Sequence, residues 1–595
     1  MRLPIIKKQN RYKKSIVTFG GINRTGNFTE GELEDATSIS HRLFPAITQR
    51  RKTSLVFPCD SPSAAVVADK ECIAADGVLY YDRKKVATLT SGKKTLAVLG
   101  KKIFVFPDKL YYDTQTQKVG DMCGFASSCG AKVSFMSNTI TFPEVYVKEE
   151  RDIVKDTFPK DMKIVAFDSA SVNEGRVILS EPSLKNLSQL ADGSIHNEKC
   201  NENEYCIVQS AVYSEENESY TVTSEKITVI NLMKDIFKEL CEGDVVEISG
   251  CTDIPENNKS ATIVSKAENS LTFDADTFTE GDENATVTVQ RKIPEFTCVC
   301  SYENRLWGCE KNTIYASALG DGTNFFRYKN LSTDSFSVES NGAGDFTACT
   351  VFANGCLFFK ENVCYRLFGS RPSNFQLSQC FEGGMLSSDK ESIVNMGGRL
   401  LYKGVGGVYV YYGGTPQRIS DKLGDITLEN ATAGSDGKNY FLTADTKDGR
   451  EEFVWDSEKN LWSKSGIKDT TSYLCFGEDV YRLNTAGMEK TEKDWDEDTF
   501  WSMTLCPFDE GYYKTKSYSR IHICAELFSG AYIRTEVRKD GGLWEVIDTS
   551  YGDEKKYLNI PCVIKGCHEV QIRLSGKGKS IINSIVREFS IGSLG

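Results

Sequence analysis

Asn354-Gly355-Cys356-Leu357-Phe358-Phe359 sets a glycine turn directly before four apolar residues, two of them aromatic rings. The same figure recurs along the chain. It reads Asp76-Gly77-Val78-Leu79-Tyr80-Tyr81, then Gly100-Lys101-Lys102-Ile103-Phe104-Val105, then Glu303-Asn304-Arg305-Leu306-Trp307. Later copies are Gly398-Arg399-Leu400-Leu401-Tyr402, Gly437-Lys438-Asn439-Tyr440-Phe441 and Gly477-Glu478-Asp479-Val480-Tyr481. Gly and Asn suit the positive φ of tight hairpins, and Val, Ile, Tyr and Phe suit a pleated, half-buried surface. From residue 300 the copies recur about every 40–50 residues, the length of one four-stranded propeller blade. One copy alone buries its apolar face poorly, so the copies are expected to pack around a common axis. The reading is all-β with a β-propeller-like body; a pair of stacked β-sandwiches is the alternative.

Two regions depart from the repeat. Between 146 and 292 aromatics thin out and Lys, Glu, Asn and Asp dominate. There Glu242-Gly243-Asp244-Val245-Val246-Glu247-Ile248, Ala261 to Val264 and Ser270 to Phe273 read as strands of small β modules inserted in a blade loop. From about 510 short strands follow at close spacing: 516–527, 532–538, 544–549, 557–560, 570–574 and 581–589. Turns such as Asp540-Gly541-Gly542 and Gly576-Lys577-Gly578 separate them. This pattern predicts a C-terminal β-sandwich of jelly-roll type. The expected division is a basic N-terminal arm over 1–52, first blades over 53–145, the insert over 146–292, remaining blades over 293–493 and the sandwich over 494–595. Helical spacing is confined to Ile230–Leu240 and Glu30–Leu43.

The formal net charge of −12 is unevenly spread. Residues 1–52 hold 11 Lys and Arg against 4 Asp and Glu, about +7, which leaves about −19 on the rest. Arg2, Lys7, Lys8, Arg11, Lys13 and Lys14 are read as preceding any strand. Such a charged segment orders on an oppositely charged surface, so these six are assigned to an intersubunit contact, with DNA as the lesser alternative. No stretch approaches the ~20 apolar residues of a spanning helix, and no apolar core follows the basic start, so neither membrane insertion nor a signal peptide is expected. In a reducing cytosol the twenty cysteines are expected as thiols, packed as small hydrophobes on strands, as in Cys298-Val299-Cys300 and at Cys349, Cys356 and Cys364.

Reactive constellations are sparse. The four histidines, His41, His196, His522 and His568, show no zinc spacing, and no Cys-x-x-Cys, Gly-x-Ser-x-Gly or phosphate loop occurs. His522 and His568 are read as structural side chains on strands. Asp494-x-Asp496-x-Asp498 has the alternation of a calcium loop, but Thr499 and Leu505 stand where the required Gly and Glu belong. Tyr411-Tyr412, Tyr512-Tyr513 and Phe500-Trp501 could stack on sugars; core or subunit contacts explain them better. The sequence thus predicts no catalytic residue, metal or cofactor, and a chain that is not an enzyme.

Three runs carry a resemblance: Glu303-Asn304-Arg305-Leu306-Trp307-Gly308-Cys309, Asn312-Thr313-Ile314-Tyr315-Ala316-Ser317 and Leu319-Gly320-Asp321-Gly322-Thr323-Asn324-Phe325. With Phe358 to Arg366, Pro372 to Gln376 and the stretch from Tyr518 to Gly578, they resemble the propeller nozzle or hub proteins of bacteriophage tails. The resemblance spans about 295–425 and 510–595. It implies a homo-oligomeric ring, of six subunits, around the DNA exit channel of a virion tail assembled in the host cytoplasm. Neighbouring tail or head–tail connector proteins are the implied partners. An acidic channel would let DNA pass without specific binding. Two other classes stay open, a receptor-binding adhesin that holds cell-surface glycan and a tail-associated glycan hydrolase.

Overall fold

The computed structural model describes 11–128, 132–142, 236–274 and 278–592, apart from 477, 496, 553, 555 and 556, and within 146–232 the course of several strands. The chain is almost entirely β, and its body is a propeller. Seven four-stranded antiparallel sheets are present among the described residues. Blades 1 and 2 run over 62–88 and 95–121. Blades 3 to 6 run over 298–339, 348–382, 394–418 and 429–464, and blade 7 over 472–495. The first strands of successive blades pack side by side, blade 7 against blade 1 included, except that blade 4 meets blade 5 through Ser387–Ser392 and a shared apolar layer, so the ring is closed.

Each copy of the turn figure falls at a hairpin of a different blade. In blades 2 to 7 it joins the first and second strands, and in blade 1 the second and third. The aromatic strand after the turn is buried on both faces, as Arg305–Glu310 and Cys356–Phe359 are, which explains its unbroken apolar run. These strands supply the layers between blades. Trp307 and Phe358 meet between blades 3 and 4, and Phe359 and Tyr402 between blades 4 and 5, with Ile103 and Leu79 doing so between blades 1 and 2. Each fully buried large side chain is worth on the order of 2–3 kcal/mol. The seventeen described cysteines are free thiols, and Cys298, Cys309 and Cys356 pack in the layer between blades 3 and 4.

Blade 7 takes its outer strand from the other end of the chain. Arg51–Pro58 pairs antiparallel with Gly487–Trp495, so an early strand latches the last blade. Contact is closest at Gly487, where φ is +134° and a Cβ would lie 2.2 Å from the carbonyl oxygen of Phe57. Only glycine fits.

The sandwich also draws on both ends. One sheet runs Ile39–Ser40, Ile47–Gln49, Ser580–Ile591, Lys516–Leu527, Tyr557–Cys567, with Arg11–Ile16 also paired to Ser580–Ile591. The other runs Leu33–Thr37, Phe500–Leu505, Val570–Lys577, Tyr532–Lys539, Glu545–Tyr551. The expected basic arm is therefore corrected: residues 11–49 are not an appendage before the first strand but part of the sandwich. Arg11, Lys13 and Lys14 lie in the strand Arg11–Ile16, and the Lys13 ammonium sits 2.5 Å from Glu588. The helix expected over Glu30–Leu43 is likewise two strands. A register shift between Leu33 and Asp35 puts Leu33 and Ala36 on the same buried face, so a bulge reproduces the three-residue spacing of a helix. At the other helical candidate, residues 236–239 form a turn after the strand Lys226–Leu232.

One continuous core joins the sandwich to blades 5 and 6, taking in Ile16, Phe19, Ile22, Leu401, Val410, Trp455 and Trp462. Ile22 N–H donates to the Trp462 carbonyl at 2.8 Å, and the Trp462 indole donates to the Ile419 carbonyl at 2.8 Å. The insert leaves between blades 2 and 3 and contains a sheet of Ala126–Ser127, Val133–Met136, Thr139–Thr141, Val245–Ser249, Ser260–Lys266, Ser270–Phe273, Gly281–Glu283 and Thr288–Arg291. Asp244, held within the insert by the Arg291 guanidinium at 2.6 Å, ties it to the body by accepting from the blade 3 Asn324 amide at 2.6 Å. Among the described residues no helix is long and apolar enough to cross a membrane.

Candidate functional site

The sandwich carries the most exposed aromatic feature of the described surface. Between Phe500–Leu505 and Lys516–Leu527 the chain makes a loop whose backbone is pinned at both ends. Phe508 exchanges two backbone hydrogen bonds with Val570, and the buried Lys516 ammonium donates to the carbonyls of Asp509 and Tyr512 at 2.7 and 2.6 Å. Glu510 lies between them in the left-handed region, φ +56°, with its side chain fully buried. Its carboxylate accepts from Arg587 Nε at 2.8 Å and from the Tyr518 hydroxyl at 3.1 Å, and Lys14 donates to its carbonyl at 2.8 Å. Burial pushes the Tyr518 hydroxyl up, and the charge of Glu510 adds to that. A carboxylate with this many donors, under a backbone few side chains adopt, sets the loop firmly.

Beyond that anchor the loop turns outward. Tyr512 is 42% exposed and Tyr513 wholly so. Their rings overlook an open cleft of about 670 Å³ lined also by Asp509, Asp540, His568 and Glu569. Asp540 Oδ1 accepts the backbone N–H groups of His568 and Glu569 at 2.7 and 3.0 Å, which fixes the far wall. Such a cleft offers ring faces to apolar surface and carboxylate oxygens to hydroxyl or ammonium donors.

A second cleft, of about 910 Å³, opens where the crossing from sandwich to blade 7 meets blades 6 and 7. Charges of both signs line it, and many are engaged with one another. Asp479 holds Lys490 at 2.6 Å, Asp456 caps the backbone of Glu458 and Lys459, and Glu452 is locked to Arg482. The Arg42 guanidinium carbon sits over the Trp495 ring, 3.7 Å from its centroid; burial and the nearby charge of Arg51 lower its pKa to about 10.

The residues singled out from the sequence scatter. Lys13 and Lys14 are committed to Glu588 and Glu510 within the chain, while Arg2, Lys7, Lys8 and His196 lie outside the described residues. His41 is buried with Nε2 2.8 Å from the Gly20 carbonyl, and burial lowers its pKa to about 4. His522 stands on a strand, 3.1 Å from Glu588; His568 lies in the bend after Tyr557–Cys567 and not in a strand. Asp498 is exposed beside Lys577, Asp496 lies outside the described residues, and among the described residues no group of three His, Cys, Asp or Glu is placed to hold a metal. Of the aromatic pairs, Tyr411 and Trp501 are core, whereas Tyr512 and Tyr513 are both at the surface. The signal that separates them is the setting. Asp509-Glu510-Gly511 before and Lys514 after break strand alternation, so Tyr513 has no strand face to bury it, while Tyr512 rests against Tyr12 with ring centroids 6.0 Å apart.

No family model matches the chain, and no curated protein does. Solved structures do. An exo-β-1,3-galactanase from Phanerochaete chrysosporium with galactose matches at 11% identity over 50% of this chain and 96% of that one, with a TM-score of 0.20. The extracellular domain of BT4673 from B. thetaiotaomicron matches at 10% identity over 93% and 95%, TM-score 0.22. The N-terminal domain of Nup159 matches at 11% identity over 58% and 95%, TM-score 0.20. The expectation that the chain is not an enzyme is corrected here. Three of the matched structures are galactanases, so absence of catalysis does not follow from such a fold. Likenesses this distant assign no activity in its place.

Proposed function

We propose that this chain is the repeating subunit of a ring in a bacteriophage tail, around the channel through which DNA leaves. The observation that supports this best is an uncovered side of the sandwich. Glu545–Tyr551 and Tyr557–Cys567 each end their sheet, they follow one another in the chain, and each pairs only inward among the described residues. Val546, Tyr551, Tyr557 and Val563 on these strands, with Leu543 just before them, are between 49% and 90% exposed. Long open edges with exposed apolar side chains are interaction templates that isolated proteins normally blunt. A second copy laid along them supplies the missing partner, and a head-to-tail contact of this kind closes into a ring when its rotation allows. The sequence resemblance supplies the rest of the proposal: six subunits, assembly in the host cytoplasm, and tail or connector proteins as neighbours. The net charge of −12 suits a channel wall that DNA passes without binding. With Lys13 and Lys14 engaged inside the chain, the contact proposed for the basic N-terminus falls to Arg2, Lys7, Lys8 and Arg11.

Native mass spectrometry of the purified chain tests the proposal. A sixfold mass is expected, falling to the single chain in a Val563→Lys, Tyr557→Lys double variant whose circular dichroism is unchanged. A wild type that stays single-chain, or a variant that still assembles, overturns it.

A further inference from the structure

We infer that the cleft under Tyr512 and Tyr513 is a saccharide-binding site that takes neutral or amino sugars. The inference does not depend on ring assembly, because the cleft lies within one chain.

The cost of the arrangement comes first. A fully exposed tyrosine ring gains nothing from the fold that carries it. Yet the loop presenting it is fixed from beneath, with Glu510 clamped by Arg587 and Tyr518 and Lys516 donating to the carbonyls of Asp509 and Tyr512. Glu510 and Gly511 are two successive residues of positive φ, +56° and +74°. A left-handed non-glycine residue held by a fully buried ion pair is strain that the surroundings enforce, and its product is the outward aim of the next two rings. Rings aimed in advance bind with little further loss of rotational freedom.

The chemistry of the walls selects the ligand. Tyrosine faces pack against the C–H faces of a pyranose, while Asp509, Asp540 and Glu569 offer oxygens to its hydroxyls. Asp540 spends Oδ1 on the backbone of His568 and Glu569, and Asp509 spends Oδ1 on Gly511 N–H at 2.9 Å. Each keeps a second oxygen. Three carboxylates repel phosphate and sulfate, so nucleic acid and anionic polysaccharide are excluded. A volume of about 670 Å³ lies within the range of small-molecule clefts and accommodates more than one sugar ring.

Isothermal titration of the full chain with chitotetraose, cellotetraose and maltotetraose tests this. Binding of at least one is expected, about tenfold weaker in Tyr513→Ala and in Tyr512→Ala, and weaker again in Glu569→Gln. Tyr513 is wholly exposed, so thermal unfolding of Tyr513→Ala should match the wild type, whereas Tyr512→Ala also loses a ring contact with Tyr12. The inference is overturned if none of the three binds the wild type, or if Tyr513→Ala binds as the wild type does. It is equally overturned if the tyrosine variants keep sugar binding and lose oligomer mass, which would make the rings a protein contact.

Discussion

Arg482 of blade 7 holds Glu452 of blade 6 with both sides of its guanidinium, Nε to Oε2 at 2.6 Å and Nη2 to Oε1 at 2.9 Å. Tyr473 donates its hydroxyl to the same carboxylate at 2.6 Å, and all three are buried. Where blades 1 to 5 meet one another through apolar layers, blades 6 and 7 meet through this polar clasp. Burial alone would raise the Glu452 carboxyl, but the charge and hydrogen bonds of Arg482 hold it below the ordinary range. Replacing Arg482 by Met leaves a buried carboxylate unpaired and should cost about 3–5 kcal/mol in urea unfolding. The double variant Glu452→Leu, Arg482→Leu should recover much of that loss; equal loss in both would show that the pair itself is not the source.

The latch of blade 7 should fail at a single position. Gly487→Val places a side chain against the Phe57 carbonyl in a backbone conformation that costs about 1–3 kcal/mol on its own. Limited proteolysis is expected to cut within 51–58 in the variant and not in the wild type.

Acid should loosen the insert. The Glu283 carboxyl would be raised by its burial, but the backbone N–H groups of Ile254, Asp253 and Ala285 hold it at about 2. Its folded pKa is thus below its unfolded one, so the stability it contributes is full above about pH 4.5 and drains away as pH falls toward 2. Hydrogen exchange of the strands Val245–Ser249 and Gly281–Glu283 should quicken across that window, and Glu283→Gln should remove the dependence.

Residues 146–232 should be removable. Tyr146 and Leu232 are paired neighbours, so the segment leaves and re-enters the insert at one place. A short Gly/Ser bridge in its stead should leave a soluble, β-rich protein whose melting temperature is unchanged. Aggregation of that deletion would mean the segment supports the body.

Much of this fold is legible in the chain because hairpin turns and alternation are local. The strand Lys516–Leu527 coincides with its alternating run, and seven turn figures mark seven blades. Long-range pairing leaves no such trace. Nothing near Arg51–Pro58 announces Gly487–Trp495 as its partner, and nothing near Leu33 announces Leu505. A bulge then hid the strand at Leu33 under helical spacing. The candidate cleft was half visible: Tyr512-Tyr513 stands out as a pair, but its exposure depends on a buried contact between Glu510 and Arg587, residues 77 apart.

The latch has a consequence for synthesis. Thr53–Pro58 leaves the ribosome early, yet its partners Gly487–Thr491 follow roughly 430 residues later. At about 5–20 residues per second that is on the order of 20–90 s during which the strand has no mate. The sandwich waits longer still, since Arg11–Ile16 pairs with Ile585–Ser590. The seventh blade and the sandwich therefore form only once residues 487–590 have been made, and a nascent chain interrupted before then carries Arg11–Ile16 and Thr53–Pro58 without their partner strands.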